Sequence, residues 1–358
     1  MQAWLSAAGT QIQFCSKTRS QGLGMVQRGR VLMKNISDAR ISGLKRYSLL
    51  IAVLLVVCLL PFWTGQYYMQ VFTIAFYYVV LASSWNLIAG YTGQFSLAHH
   101  AFAAIGGYTS ALWVTHSGFP IWMGILAALL SSTLMGFILG VLCLRMRAIY
   151  LAIATWAFAE SVRIFISMTY KLTRGDLGLA VPKIFLGGGR AVACYYLFLG
   201  LAALTVLTII IINHSKMGYY LRAIRDDEMV ARVMGINTTR WKIFSFIISS
   251  GIAGIAGAFY GHYNGLLTPV MVDFNEMALI VIMVVIGGIR SIPGPVMGAI
   301  FIEILTETFR EFGEIRMVVF ALAVIAIARL YNEGAMGIVR QFAQRISRRK
   351  QAREGVTK

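Results

Sequence analysis

One loop of this chain carries charged and apolar side chains at a spacing that suits contact with another protein. Residues 219–234 contain neither glycine nor proline, and Gly235 follows, so they are predicted to form a helix that ends at a left-handed glycine. Both signs of charge occur in it, with Asp226, Asp227 and Glu228 in a row. A helix lying on lipid headgroups is the alternative, but an anionic leaflet repels such an acidic cluster. The pattern favours docking in a protein groove, where paired charges set the register.

Two further groups of polar residues lie within or between apolar runs. Glu160 and Arg163 are three residues apart on one predicted helix face, so they are either a structural ion pair or functional intramembrane charges. His99 and His100 end the polar stretch 90–100 (GYTGQFSLAHH) and are either hydrogen-bonded structural residues or part of a solute path. Because no Cys, Asp or Glu nearby completes a ligand set, we predict no metal site and no cofactor.

The amino-acid composition indicates what kind of structural element positions these residues. Of 358 residues, 58% are hydrophobic and 13% are charged, whereas a soluble protein has about 25% charged residues. A soluble enzyme and a disordered chain are therefore excluded, and lipid must surround most of the protein. The net charge of +18 is concentrated in clusters that flank apolar runs, as in cytoplasmic segments of membrane proteins. These clusters predict contact with the lipid bilayer, and no nucleic-acid-binding motif accompanies them.

The apolar runs predict an all-α, polytopic membrane helix bundle of about ten transmembrane segments, with eight to ten possible. The predicted spans are 47–64, 67–89, 101–117, 120–144, 149–170, 191–213, 241–262, 276–290, 294–310 and 316–332. The stretch 90–100 has no charged loop around it and is predicted to be broken or re-entrant, covered by protein or a watery cavity. Residues 286–295 are predicted to be a tight turn.

The number of spans predicts on which side of the membrane the tails and loops lie. An even number of spans places the basic tails, 1–46 and 338–358, on one side with the loop 214–240, and positive charge makes that side cytoplasmic. Arg145 and Arg147 fall on the same side.

Small residues that recur every four positions predict close helix packing. They are Ala253, Gly257 and Gly261 in one span and Ala103, Gly107 and Ala111 in another.

Four segments, in this order, resemble the branched-chain amino-acid ABC transporter permease family, in particular its LivM-like subunit. The segments are 86–102 (NLIAGYTGQFSLAHHAF), 144–160 (beginning LRMRAIYLA), 222–235 (beginning RAIRDDE) and 287–299 (with Gly287, Gly288, Gly294 and Pro295). The resemblance covers roughly residues 47–337 as one transmembrane permease domain. It implies that a helix at 219–235 is a cytoplasmic coupling helix that docks on an ATP-binding subunit. The coupling residues would be Arg222, Arg225, Asp226, Glu228, Ala231 and Gly235.

The resemblance also implies a function and a set of partners. The chain would move small amphipathic solutes, chiefly branched-chain amino acids, across the bacterial inner membrane; other amino acids, amides, urea and small aromatic acids remain open. Its partners would be a second homologous permease, two ATP-binding subunits and a periplasmic binding protein. The chain has no GxxxxGK[ST] motif, so ATP hydrolysis is expected on a separate subunit and the chain is not predicted to be an enzyme. An ion- or proton-coupled secondary transporter is the alternative. Candidate pathway residues are Gln94, Ser96, His99 and Glu160.

Overall fold

A computed structural model describes residues 57–310 except 64, 144, 145, 147, 186 and 188, together with residues 313, 318 and 322. From residue 65 onward these residues form a bundle of helices. The helices are α1 Gln66–Thr92, α2 His99–Ser117, α3 Ile121–Cys143, α4 Ala148–Met168, α5 Tyr170–Thr173, α6 Arg190–His214, α7 Lys216–Asp226, α8 Glu228–Val233, α9 Thr238–Asn264, α10 Phe274–Gly287 and α11 Pro293–Thr308. Residues 57–63 belong to a separate unit and contain a 3₁₀ turn, Leu60–Phe62.

The all-helical membrane fold is confirmed, and helices occupy the eight predicted spans between 67 and 310. Among the described residues, α1, α3, α4, α6 and α9 are long and apolar enough to cross a membrane. The helices α10 and α11 have 14 and 16 residues and form a hairpin. The spans predicted at 47–64 and 316–332 lie largely outside the described residues, so the count of about ten stays a prediction. Both tails, Arg145 and Arg147 also lie outside them.

Helix α1 is the centre of the bundle. In its most apolar window, 89% of the residues are buried inside the protein, against 22% in α4 and 28% in α6. A helix that is apolar all round and enclosed by its neighbours belongs to a core, whereas one that exposes apolar residues must meet lipid or another protein. Helices α4 and α6 therefore lie at the periphery of this chain.

The predicted faces of small residues meet where α2 packs against α9. A methyl group built on Gly257 would lie 1.9 Å from the carbonyl oxygen of Ala103, and one built on Gly106 would lie 2.2 Å from that of Gly254. These distances leave no room for a side chain between the two backbones. Since lipid supplies no hydrophobic drive for helix association, such close van der Waals contact holds the pair together.

The segment between α1 and α2 folds back into the bundle, which fits the prediction of a broken or re-entrant segment. Helix α1 ends at Gly93, whose φ of +73° is the left-handed conformation of a helix C-cap. The chain then doubles back along α1, where the indole nitrogen of Trp85 donates to the carbonyl oxygen of Ser96 at 2.6 Å. The His99 imidazole contacts the Ser249 hydroxyl, which donates to the carbonyl oxygen of Ser84. Helix α2 therefore begins about two helical turns inside the end of α1.

The tight turn predicted at 286–295 is confirmed between α10 and α11. Gly288 and Arg290 both have positive φ, of 114° and 78°. The side chain of Asn86 bridges the turn to α1, because its amide donates to the carbonyl oxygen of Ser291 at 3.0 Å and its oxygen accepts from the Arg290 backbone at 3.5 Å. The turn consequently lies beside the last two turns of α1. At the other end of the bundle, strand β1 Leu179–Ala180 pairs antiparallel with β2 Leu266–Leu267.

Candidate coupling site and candidate pathway

The predicted single helix at 219–234 is wrong in one respect: it is two helices, α7 and α8. The break is at Asp227, which has extended backbone angles, φ −158° and ψ 111°. Its carboxylate accepts from the backbone nitrogens of Met229 at 2.8 Å and Val230 at 3.0 Å, so Asp227 is the N-cap of α8. Aspartate satisfies the free N–H groups of a first helical turn better than it continues a helix, which explains the break. Gly235 follows α8 with a φ of +82°, as predicted.

Helix α7 is attached to the bundle by its apolar face. Leu221, Ile224 and Met217 are buried, and Leu221 and Met217 pack in one cluster with residues of α1 and α6. The cluster partners are Leu87, Tyr91, Ile209 and Ile212. Because α7 begins directly after α6 and packs on the end of α1, any force on α7 reaches both helices.

Two of the predicted coupling residues, Arg222 and Arg225, are directed at the bundle. Arg225 donates to the carbonyl oxygen of Gly90 at 3.2 Å and pairs with Asp226 at 2.8 Å. Its Cγ would lie 3.1 Å from a methyl group on Gly93, so it packs directly on the start of the re-entrant segment. Arg222 donates to the carbonyl oxygen of Asn213 at 3.4 Å. Both arginines thus hold α7 in place, while the Asp226 side chain is exposed.

Glu228 joins α8 to α9. Its carboxylate accepts from Lys242 at 2.6 Å and from Arg232 at 2.6 Å, and also from the Thr238 hydroxyl at 3.2 Å. Lys242 is only 9% exposed, so this ion pair is screened from water on one side. Burial alone would raise the pKa of the Glu228 carboxyl, but the hydrogen bonds and charges of Lys242 and Arg232 outweigh it and hold that pKa below its ordinary value. Ala231 is buried beside this link.

The outward face of α8 is apolar. Val233 and Met234 are 82% and 77% exposed, and Met229 and Val230 are also exposed. We define these four side chains as the α8 patch. None of these four side chains is among the predicted coupling residues, because 219–234 was predicted to be one helix. The signal that could have found them is Asp227, since an aspartate N-cap resets which residues share a face.

The predicted pathway residues lie on two elements of the bundle. Gln94, Ser96 and His99 are buried in the re-entrant segment and the first turn of α2. Glu160 lies on α4 and forms the expected ion pair with Arg163, whose Nε donates to it at 2.9 Å. These two side chains are partly exposed, at 34% and 41%. The assignment of Gln94, Ser96, His99 and Glu160 to a solute path stays a prediction.

A cavity of about 110 Å³ lies between α1, α2, α9 and α10, away from the α8 patch. Its polar lining comprises Tyr77, Tyr78, His100, Tyr260, Asn264, Thr268 and Glu276. None of the four predicted pathway residues lines it. His100 does line it, because the re-entrant segment starts α2 inside the bundle. His100, like His99, was predicted to be either structural or part of a solute path, but only His99 was among the candidate pathway residues.

Comparisons with known proteins agree on one family. The model of a family described as "Branched-chain amino acid transport system / permease component" matches residues 67–328. The chain is 29% identical to the high-affinity branched-chain amino acid transport system permease protein LivM of Escherichia coli (strain K12), over 84% of this chain and 77% of that protein. It is 25% identical to LivH of the same organism, over 70% of this chain and 88% of that protein. It is 21% identical to the permease protein BraD of Pseudomonas aeruginosa, over 73% of this chain and 91% of that protein. No solved structure matches the chain.

Proposed function

The chain belongs to the branched-chain amino acid transport permease family, and we propose that it is the membrane-spanning permease subunit of an ABC importer for branched-chain amino acids. Its five long apolar helices support a membrane location. The family supports this function and gives no support to an ion- or proton-coupled secondary transporter. By this proposal the chain lies in the bacterial inner membrane with both termini in the cytoplasm.

A second, homologous permease is the first proposed partner. The relatives of this chain include both LivM and LivH permeases, which fits a pair of related subunits. The half-exposed Glu160–Arg163 pair gives independent support, because charged side chains in the middle of a span face protein or a watery cavity rather than lipid. The face of α4 that carries this pair would therefore meet the second permease or line the path between the two. A periplasmic binding protein would deliver the solute.

The observation that carries the coupling proposal is the α8 patch. Four exposed apolar side chains, three on the short helix α8 and one on the residue that follows it, are costly in water and suit a hydrophobic groove in a partner. Behind the patch, Glu228 ties α8 to α9, and α7 ties it to α1 and α6. The proposed occupant is an ATP-binding subunit, two of which would serve the permease pair and hydrolyse ATP. Its movement on hydrolysis would reach three long helices through these contacts.

Replacing Met229, Val233 and Met234 together with serine is expected to abolish co-purification of the ATP-binding subunits and to lower leucine uptake at least about tenfold. The reason is that each buried apolar side chain contributes about 1.5–3 kcal/mol to an interface. Affinity purification of the permease, followed by quantitation of the bound ATPase, measures the effect.

Leu177→Ser is the matched control, since Leu177 is also exposed but lies on the 3₁₀ turn Gly175–Leu177, at the end of the bundle away from α8. It should leave both the ATPase association and the uptake unchanged. Full ATPase association in the triple variant would show that the α8 patch is not the docking site.

A further inference from the structure

One side of helix α4 is an exposed stripe that is apolar at one end and charged at the other. Residues at alternating spacings of four and three share one side of a helix. In α4 that side consists of Ile149, Ile153, Trp156, Glu160, Arg163 and Ser167, which we define as the α4 stripe. None of the six residues is buried, and Ile149 and Ile153 are 74% and 57% exposed. The stripe thus combines apolar and charged groups, as an amphipathic solute does.

The opposite side of α4 is fixed to the bundle. Ala159 and Ile166 are buried in one cluster with residues of α2, among them Tyr108 and Ala111. This packing sets the direction in which the α4 stripe points. Charged side chains at membrane depth face protein or a watery cavity, because exposure to lipid is costly. The α4 stripe must therefore line a space that this chain encloses together with another protein.

Another helix of the bundle begins beside the α4 stripe. Helix α10 has 14 residues, so it spans about 21 Å of a hydrocarbon core of about 30 Å. The rings of Phe274, its first residue, and Trp156 meet edge to face with centroids 6.3 Å apart. Transporter sites typically lie near the midplane of the membrane, where helices are interrupted. The stripe lies at such a place.

The Glu160–Arg163 ion pair keeps capacity for further hydrogen bonds. Nε of Arg163 donates to the two carboxylate oxygens of Glu160 at 2.9 and 3.1 Å, and Nη2 donates to the same carboxylate. Among the described residues, Nη1 of Arg163 has no acceptor and the carboxylate has no other donor. A guanidinium has five N–H donors and a carboxylate about four acceptor positions. Both side chains are therefore able to bind a ligand.

The two charges of this pair match those of a zwitterion. Side chains three residues apart on a helix are neighbours, with about 5–6 Å between their Cβ atoms. An amino acid likewise carries its ammonium group and its carboxylate on a single carbon. A partly exposed pair on one helix contributes little to stability, so a zwitterion can exchange with it. After release the two side chains neutralise each other again, so no charge is left unpaired at membrane depth.

The re-entrant segment connects the α4 stripe to the coupling helices. The backbone nitrogen of Leu97 donates to the hydroxyl of Thr155 in α4 at 2.8 Å. At the start of the same segment, Arg225 of α7 packs on Gly93. Thr155 is buried and directly precedes Trp156 in the chain. A movement of α7 therefore has a short route to the stripe.

We propose that the α4 stripe binds the amino acid as it passes between the two permeases. Arg163 holds the α-carboxylate and Glu160 holds the α-ammonium group. The rings of Trp156 and Phe274 pack against the aliphatic side chain. Because the ion pair re-forms when the solute leaves, binding stays weak enough for release, which a transport path requires. The inference rests on the proposed transport function and specifies which side chains recognise each part of the substrate.

The test uses the purified permease complex in lipid nanodiscs, without the binding protein, which would bind the ligands itself. Titrations by saturation-transfer NMR compare leucine with leucinamide, which lacks the carboxylate, and with 4-methylpentanoate, which lacks the ammonium group. At about pH 6.5 an α-amino group is protonated. For the unaltered complex, we expect each analogue to bind about tenfold more weakly than leucine.

Each charge variant should remove one of these two preferences. Arg163→Gln is expected to bind leucinamide as well as leucine, because the carboxylate has lost its partner, and still to bind 4-methylpentanoate more weakly. Glu160→Gln is expected to bind 4-methylpentanoate as well as leucine and still to bind leucinamide more weakly. A merely structural ion pair would not divide the preferences in this way, because either variant breaks the same pair. If a single variant does not fold, the double variant, which leaves no charge unpaired, should lose both preferences.

Arg310→Gln is the matched control. Arg310 also pairs with a glutamate three residues before it, Glu307, but it lies beyond the end of α11 and outside the α4 stripe. The control should keep both preferences. Equal binding of leucine and either analogue by the unaltered complex would overturn the inference. Retention of both preferences by a folded charge variant would overturn it as well.

Leucine uptake driven by ATP and the binding protein tests the proposed function separately. A complex that takes up leucine but binds the three ligands equally would overturn only the inference about the α4 stripe. A complex that takes up no leucine would contradict the proposed function itself.

Discussion

Replacement of Gly257 by leucine is expected to prevent assembly of the helical bundle. Even the first carbon of a side chain at this position would lie 1.9 Å from the carbonyl oxygen of Ala103, which is backbone and cannot rotate away. Helices α2 and α9 would have to separate, and both carry residues of the cavity. Overpacking a well-packed core costs about 1–3 kcal/mol and occasionally more, and four carbons that meet a fixed backbone lie at the upper end of that range, against a total stability of about 5–15 kcal/mol.

The measurement is the yield of monodisperse protein after membrane expression, followed by fluorescence-detected size-exclusion chromatography. Gly200→Leu is the control, because a methyl group on Gly200 in α6 has no described atom within 4 Å. The control should reach the yield of the unaltered chain, whereas Gly257→Leu should give little or no monodisperse peak. Equal yields for the two variants would refute the close packing of α2 on α9.

Glu228→Gln is expected to lower leucine uptake at least about tenfold while the ATP-binding subunits remain bound. The substitution keeps the shape of the side chain and leaves the α8 patch intact, so docking is preserved. It removes the charge opposite Lys242, which is 9% exposed and would be left as a poorly hydrated cation. Removing one partner of a fully buried pair costs about 3–5 kcal/mol, and the partial exposure of Glu228 makes the cost here smaller. We expect α8 then to move without carrying α9 with it.

The measurement for Glu228→Gln is the amount of ATP that reconstituted complexes hydrolyse per leucine transported, and we expect this ratio to change. Asp176→Asn is the matched control, because Asp176 is an exposed acid on the 3₁₀ turn Gly175–Leu177, at the end of the bundle away from α8. A surface substitution of this kind changes stability little, so the control should transport normally. Loss of ATPase binding in Glu228→Gln would place Glu228 in the docking surface itself, and unchanged uptake would show that this ion pair is not part of the coupling.

Prediction from the sequence succeeded where one kind of interaction decides the outcome. Apolar runs of about 20 residues have no stable place except lipid or a helical core, so the spans could be located from composition alone. The small residues of α2 and α9 were recognisable because every fourth residue of a helix shares a face. The re-entrant segment was recognisable because 90–100 is polar yet has no charged loop around it.

Prediction failed where two local preferences competed. Residues 219–234 contain no helix-breaking glycine or proline, so a single helix was expected. Capping by Asp227 prevailed, and the break turned Met229, Val233 and Met234 outward while Glu228 turned toward Lys242. Of the residues chosen from the sequence for coupling, Arg222 and Arg225 hold the loop to the bundle and Glu228 pairs with Lys242, so they do not form its outer surface. Their role in coupling stays a prediction.

The sequence by itself determined that this protein is a helical membrane protein of the permease family, which loop is charged and where the chain re-enters. Periodicity, hydropathy and motif order are properties of neighbours along the chain, and they suffice for these conclusions. Only the tertiary structure decided that His100 lines the cavity with Glu276 and that Glu228 pairs with Lys242. The first pair is 176 residues apart and the second 14, and such partners are chosen by how helices pack, which no local pattern encodes.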